Sequence, residues 1–456
     1  AAWVRLAEGV DPQTISSRVV HAEVAAAGVQ VNEAVGGRIQ EFLNKITSRV
    51  GLAERHLVAE GRRPVDSRPA AFRFADEERP CGEADGGDFE PRVRRALLMV
   101  QKDAMIGRLT PGVEGTAGVD IAGQPVAPGV ARATAIGPGE NVRLGADATS
   151  FVAVQAGRVT FDGRQVSVRA FTEVPHDVRA DVPVEAAGDV VVRGAVCDGA
   201  RVKSSGAVIV AGPVEAAQVS AGADAIVQLG VVGHSRGHLT AAGDVVARHC
   251  VEADLSAGGD VCLGTNALNS RIRAGRFVRA AGASIIGGAT HAGVGIEADV
   301  LGSDSNVPTL VSVGADEQEM KKWKGLEDEI RVRREKVDKI RTMLAPLQAN
   351  LKRLGPAQKE QVTELCFTAD TMAQEIAEAE AQRKRITAAN EAAYLRVGTM
   401  IHEGVELRIA DRVVHFSRPM KGPVRIELRK LKSATEVVAV TESFDSFTVL
   451  KAKRVE

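Results

Sequence analysis

Apolar positions change their spacing several times along the chain, and the clearest pattern lies between residues 188 and 315. There Gly188-Asp-Val-Val-Val-Arg-Gly194 recurs as Gly206-Ala-Val-Ile-Val-Ala-Gly212, and looser copies start at Gly222, Gly243, Gly259 and Gly275. The starts are 18, 16, 21, 16 and 16 residues apart. A second apolar set, Val202, Val219, Leu239, Leu255 and Ile272, falls shortly before each next glycine. A unit of strand, turn, strand and turn cannot bury its apolar face alone, so its copies must stack. Coils about 4.8 Å apart then align equivalent residues in ladders. This predicts a parallel β-helix. Val190, Val196, Val202, Val208 and Val214 fall six apart, as in left-handed hexapeptide helices, but Ser220 breaks that period. Parallel crossovers are right-handed as a rule, so a right-handed β-helix is expected.

Residues 316–397 switch to a helical period. Leu326, Ile330, Arg333, Val337, Ile340, Leu344, Leu347, Leu351 and Leu354 alternate 4 and 3 apart, a heptad seam. Gly355-Pro356 breaks it, and a second seam runs through Val362, Leu365, Ala369, Met372, Ile376, Ala379, Arg383, Ile386, Asn390, Ala393 and Val397. Matched layer for layer, Leu354 meets Val362, Leu344 meets Met372, Ile340 meets Ile376 and Leu326 meets Asn390. The expected product is an antiparallel coiled-coil arm. In that register Arg333 opposes Arg383, a weak layer unless Glu329 and Glu380 neutralise it, and Pro346 should bend the first helix. Strand-like segments return at Val405–Ile409, Val424–Leu428 and Val437–Val440. The arm therefore reads as an insertion, with 398–456 packing back on the β-helix body.

The first 112 residues read as an α+β domain. Ile39, Phe42, Leu43, Ile46 and Val50 recur at 3–4 spacing in an amphipathic helix, and Asp76–Glu90 reads as a loop. Residues 113–187 read as β and turn leading into the helix. Asp162-Gly163 within Val159–Val166 carries a hairpin signature, since such turns need positive φ.

Composition narrows the function. The 456 residues allow roughly two to four domains, and 45% are hydrophobic, yet aromatics are only 3% beside 46 glycines. A narrow β-prism filled with Val, Ile, Leu and Ala has no room for rings, which accounts for the deficit. A net charge of -1 argues against duplex binding, and scarce rings argue against single-strand stacking. No nucleic-acid partner is expected. Five scattered cysteines (Cys81, Cys197, Cys250, Cys262, Cys366) form no CxxC, pointing to a reducing cytoplasm. No stretch approaches the roughly 20 apolar residues of a membrane helix, so no membrane insertion is expected. The sequence shows no signal-peptide pattern but begins at Ala1 rather than Met, leaving open whether a segment precedes it.

Candidate chemistry is sparse. His234, His238, His249 and Cys250 offer zinc-type donors, but spacing alone is weak and ordinary loop and core roles are the better reading. Asp189, Asp244 and Asp260 follow glycines at equivalent turns and could form a carboxylate ladder for calcium or sugar chemistry; turn aspartates that bond their own backbone are commoner. A carboxylate glycosidase would also want stacking rings. Gly293-Val-Gly295-Ile-Glu-Ala298 matches a dinucleotide pattern by letter only, without a strand before it and a long helix after it. Catalytic, metal and cofactor residues are all expected to be none.

The repeat from Gly188 to Gly212 is similar to the right-handed β-helix in the C-terminal domain of the division inhibitor MinC. The wider order resembles the flagellar assembly protein A family. The marks are Val58-Ala-Glu-Gly-Arg-Arg-Pro-Val65, Gly115-Thr-Ala-Gly-Val-Asp-Ile-Ala-Gly-Gln-Pro125, Gly137-Pro-Gly-Glu-Asn-Val142, Asn269-Ser270, Ile285-Ile-Gly-Gly288, and, after the arm, Ile401-His-Glu-Gly-Val-Glu-Leu-Arg-Ile409. Val65-Asp66-Ser67 lacks glycines usual there, and Glu403-Gly404 replaces Pro-Gly. The resemblance implies a cytoplasmic, non-enzymatic bacterial protein tied to flagellar assembly or its polar placement, and supplies no catalytic residue.

The expected function is thus a scaffold or adaptor whose arm docks an unidentified partner protein, with a homodimer left open. The alternatives are a polysaccharide-acting or acyltransferase β-helix enzyme, and a self-assembling filament built through unpaired coil edges.

Overall fold

The computed structural model describes all residues except 8–9, 12–13, 50–53, 76–88, 131–134, 350–354, 432–433, 442–446 and 455–456. Contacts divide the chain into two units. One comprises Ala1–Gly82, Val100–Gln155 and Phe161–Val168; the other comprises Glu83–Met99, Ala156–Thr160 and Arg169–Glu456.

In the first unit, helices α1 (Ser17–Ala26) and α2 (Glu33–Thr47) enclose a small core with the strand pair Ala2–Val4 and His56–Ala59. Asn32 caps α2, its Oδ1 accepting from the Val35 amide at 3.0 Å. The expected stripe Ile39, Phe42, Leu43 and Ile46 is the buried face, while Val50 lies outside the described residues. A separate antiparallel sheet runs Ala71–Phe74, Met105–Thr110, Ser150–Ala153 and Val142–Leu144. Phe72, Phe74, Phe151 and Phe161 cluster there, with ring centroids 5.0 to 6.2 Å apart. The Asp162-Gly163 turn forms with positive φ at Gly163 alone (90°). Asp162 Oδ1 accepts the Arg164 and Gln165 amides, which hold its carboxyl below the ordinary range.

The second unit is mainly β and is built on a parallel solenoid of three ladders. In the first, Val190, Val208, Ala225, Val245, Val261, Val278, Ile296 and Leu395 occupy equivalent inward positions. The second runs Val178, Val196, Val214, Val231, Cys250, Ala267, Ile285, Leu301 and Ile401. The third runs Val184, Val202, Val219, Leu239, Leu255, Ile272, Thr290, Val311 and Leu407. The coil that pairs below Asp189–Val192 is made by Phe171–Val174, upstream of the first glycine of the repeat. All five apolar residues of the second sequence set lie on the third ladder. Among the described residues of this core, Phe416, just after the antiparallel strand Arg412–His415, is the one aromatic, and the inward ladder positions are filled by aliphatic side chains with Cys250 and Thr290.

Two features interrupt the plain alternation of inward and outward residues. Helix α3 (Phe89–Ala96) lies on the outer face of the first ladder, where Phe89, Val93 and Ala96 cover Val191, Ile209, Ile226, Val246 and Cys262. Strands buried on both sides read as continuous apolar runs, which is why this ladder shows Val-Val-Val and Val-Ile-Val. The helix begins at Phe89, inside the segment expected to be loop; the rest of that segment, with Cys81, lies outside the described residues after Ala75. At the far end, the last parallel strands pair with antiparallel ones. Arg412–His415 adds to Val405–Ile409, Val424–Leu431 adds to Tyr394–Ile401, and Ala434–Thr441 follows.

The arm is a helical hairpin of α4 (Glu317–Ala349) and α5 (Pro356–Ala392). Its register differs from the layer match expected above. Trp323 Nε1 donates to Thr387 Oγ1 at 3.1 Å, Arg334 pairs with Glu380, and Asn390 meets Met320 rather than Leu326. These contacts centre near Gly355-Pro356, where the helix break sits, whereas the expected layers were centred a few residues downstream. Leu351 and Leu354, which began that count, lie outside the described residues. The corrected register separates Arg333 from Arg383. Arg333 is paired with Glu329 and, at 2.9 Å, with Glu375.

Candidate functional site: the corner ladder and the arm root

The sequence brings three aspartates to one corner of the solenoid, before the first ladder, and the structure adds a fourth. Asp189 Oδ1 accepts the Ala207 amide at 2.8 Å, Asp244 Oδ1 the Asp260 amide at 2.7 Å, and Asp260 Oδ1 the Phe277 amide at 3.3 Å. Asp224 does the same for the Asp244 amide at 2.8 Å. Each carboxylate therefore caps the backbone of the next coil rather than its own turn. Asp224 escaped the glycine-based pattern because Ala223 precedes it. Burial pushes its carboxyl up, and the neighbouring Asp244 charge adds to this.

Asp189, Asp244 and Asp260 are also met by arginines. Arg158 Nε donates to Asp189 at 2.9 Å in a buried pair. Arg92, carried by α3, reaches Asp244 at 2.7 Å and Asp260 at 3.5 Å, and Arg276 and Arg279 also approach Asp260. Charges out of water must be paired and hydrogen-bonded, and here backbone amides and guanidinium groups do both. The row functions as a structural spine.

The histidine and cysteine candidates diverge. His234 sits in a turn at φ 42°, and His238 points outward on the third ladder beside Asp254, 3.6 Å away. His249 also faces outward, directly over Gly230, where a Cβ would lie 2.1 Å from its ring. Cys250, the next residue along the strand, points into the core, and burial pushes its thiol up to about 12. Successive strand residues face opposite sides, so these side chains cannot share a metal. Among the described residues no group of three or more His, Cys, Asp or Glu is placed to hold one. Gly293-Val294-Gly295 forms a coil corner leading into strand Gly295–Leu301.

The arm leaves the solenoid at that same type of corner. In the preceding coil only Gly293 and Val294 link Ala292 of the third ladder to Gly295 of the first. One coil later, residues 314–393 make the same crossing between Val313 and Tyr394. Asn390 closes the root: its Oδ1 accepts the Ala315 amide at 2.7 Å. Gly314 has φ 90°, and a Cβ there would lie 2.6 Å from that oxygen, so the closure requires glycine. Beyond the root, Leu326, Ile330, Val337, Leu344, Val362, Ala369 and Ala379 form the buried seam. Most of the remaining arm surface is polar or charged. Met343 and Phe367, equally far from Gly355, are 54% and 73% exposed. No described helix is long and apolar enough to cross a membrane.

Comparison with known families gives two matches on this chain. A model described as the Flagellar Assembly Protein A N-terminal region matches residues 2–164. A model described as the Flagellar Assembly Protein A beta solenoid domain matches residues 183–432, more than half of the chain. No curated protein and no solved structure matches it.

Proposed function

The chain belongs to the Flagellar Assembly Protein A family, and from that premise we propose that it is a non-enzymatic scaffold whose helical arm docks a partner protein. The observation that carries this reading is the corner from which the arm departs. Two residues suffice for that crossing one coil earlier, so 314–393 exceed what the solenoid needs to close. An insertion of two helices about 50 Å long, stapled at its root by Asn390 and exposing Phe367 near its far end, suits presentation to another protein.

Two further observations support it over the alternatives. The aspartate row, the feature nearest to an enzyme's carboxylate groove, is engaged by backbone amides and arginines. Antiparallel strands follow the last parallel coil, which disfavours end-to-end stacking at that edge. We place the protein in the cytoplasm of a bacterium, at the pole where a flagellum is assembled.

The test is a pull-down from a flagellated cell with the full chain and with a variant lacking 316–393, Ala315 joined directly to Tyr394. That join keeps a two-residue corner, so the variant should retain its β-sheet circular dichroism. Loss of the captured partner is expected. Capture at equal yield without the arm sinks the docking role.

A further inference from the structure

At the root of the arm, the outer face of the third ladder and the first turns of α4 enclose a cleft of about 350 Å³. We propose that this cleft binds a small, hydroxyl-bearing organic phosphate.

Its solenoid wall is two adjacent rows of outward residues. One row runs Arg273, His291, Ser312 and Arg408 through successive coils. The other runs Arg271, Ala289 and Leu310. The α4 wall contributes Met320, Lys321 and Lys324. Ala289, Leu310 and Met320 give the cleft an apolar part of its lining beside the cationic residues of both walls.

The cations are not equally committed. Lys321 is bound to Glu317 at 2.9 Å, Arg408 to Glu406 at 2.7 Å, and Arg271 stands 3.7 Å from Asp254. Arg273 and Lys324, one on each wall, have no ion pair among the described residues. Between them, His291 Nδ1 and Ser312 Oγ share a hydrogen bond of 2.8 Å. Burial holds the imidazole below its ordinary pKa, so it stands there as a neutral hydrogen-bonding group. The start of α4 is not the anion site. Asp316 Oδ1 accepts the Glu319 amide at 2.9 Å, and Glu319 Oε2 accepts the Asp316 amide at 3.1 Å, so that helix end is already capped.

The chemistry selects the ligand class. Two uncommitted cations on facing walls, beside a hydroxyl and an imidazole, suit a doubly charged tetrahedral group. The cleft is larger than a phosphate ion requires and falls in the range of small-molecule sites. Its apolar lining takes a ligand body, and the acidic residues that also line it, Asp316, Glu317 and Asp411, accept from hydroxyl or amino groups on that body. Because the ligand would touch both a coil wall and α4, it would also tie the arm to the body.

The experiment is calorimetric titration of the full chain with adenosine monophosphate and with inorganic phosphate at fixed ionic strength. Saturable binding of the nucleotide, at least tenfold tighter than inorganic phosphate, is expected. Arg273→Ala and Lys324→Ala should each weaken it tenfold or more. Arg201→Ala, an exposed outward arginine on the same ladder several coils away, should leave it unchanged. Circular dichroism of each variant checks the fold. Absence of saturable binding overturns the site, equal weakening by Arg201→Ala reduces it to diffuse charge, and equal affinity for inorganic phosphate removes the organic body.

Discussion

The solenoid and the arm both run on apolar seams, but they surround those seams differently. An inward solenoid residue such as Leu255 stacks between Leu239 and Ile272 of the neighbouring coils, in a core shared by all three ladders, and its side chain is fully buried. An arm residue such as Ile330 packs with Leu326 one turn away on its own helix and with Ala379 of the single partner helix. The charges follow the same division. Arg158 and Asp189 are buried together on the solenoid corner, whereas Arg333, Glu329 and Glu375 sit at the arm's surface. Every coil of the solenoid depends on its neighbours, so it opens as one unit; a hairpin with one narrow interface can open alone. Packing of this kind makes the solenoid one cooperative body and lets the arm open separately.

Cysteine labelling gives the largest expected contrast. Thiol alkylation requires access and thiolate. Cys366, half-buried on α5, should react under native conditions, whereas Cys250, with its thiol pushed up to about 12 in the core, should react slower by a factor on the order of 10³ or more. Comparable rates, read by mass spectrometry of timed alkylation, would break the comparison.

The next contrast is the corner spine. Asp189→Ala leaves Arg158 buried without an anion and should cost about 3–5 kcal/mol in urea unfolding. Asp189→Asn keeps an acceptor for the Ala207 amide and should cost less. If the two variants unfold alike, the backbone cap adds nothing to the ion pair.

Cavity variants come third. Leu255→Ala should cost about 2–5 kcal/mol and shift the whole β transition. Ile330→Ala should lower the helical melt of the arm while the β transition stays in place. A shift of the β transition by Ile330→Ala would show that arm and solenoid unfold together.

The smallest effect is expected at Arg333. The heptad match set it against Arg383, and in that register Arg333→Leu would relieve repulsion and stabilise the arm. With Glu329 and Glu375 as its partners, the substitution should leave the helical melt unchanged or lower it slightly. A clear rise would restore the first register.

The repeat was legible because glycines and alternating apolar residues recur within each coil, and the hairpin was legible because heptads flank a Gly-Pro break. The candidate site was less so. Three of the four capping aspartates stood out after glycines, but Asp224 did not. Nothing near Asp244 in the chain points to Arg92, 152 positions away. Asn390 appeared only as a polar seam position, although its acceptor, not its seam place, closes the arm.

By itself, then, the sequence determined the coil period, the inward residues of the third ladder, the aliphatic filling of the prism and the place of the insertion. These depend on contacts between adjacent turns of chain, and a local period records them. Tertiary structure alone decided that α3 covers the outer face of the first ladder, which arginines neutralise the corner, and how α4 slides against α5. Those choices join residues far apart along the chain, where complementarity of shape and charge in space, rather than spacing in sequence, sets the lowest free energy.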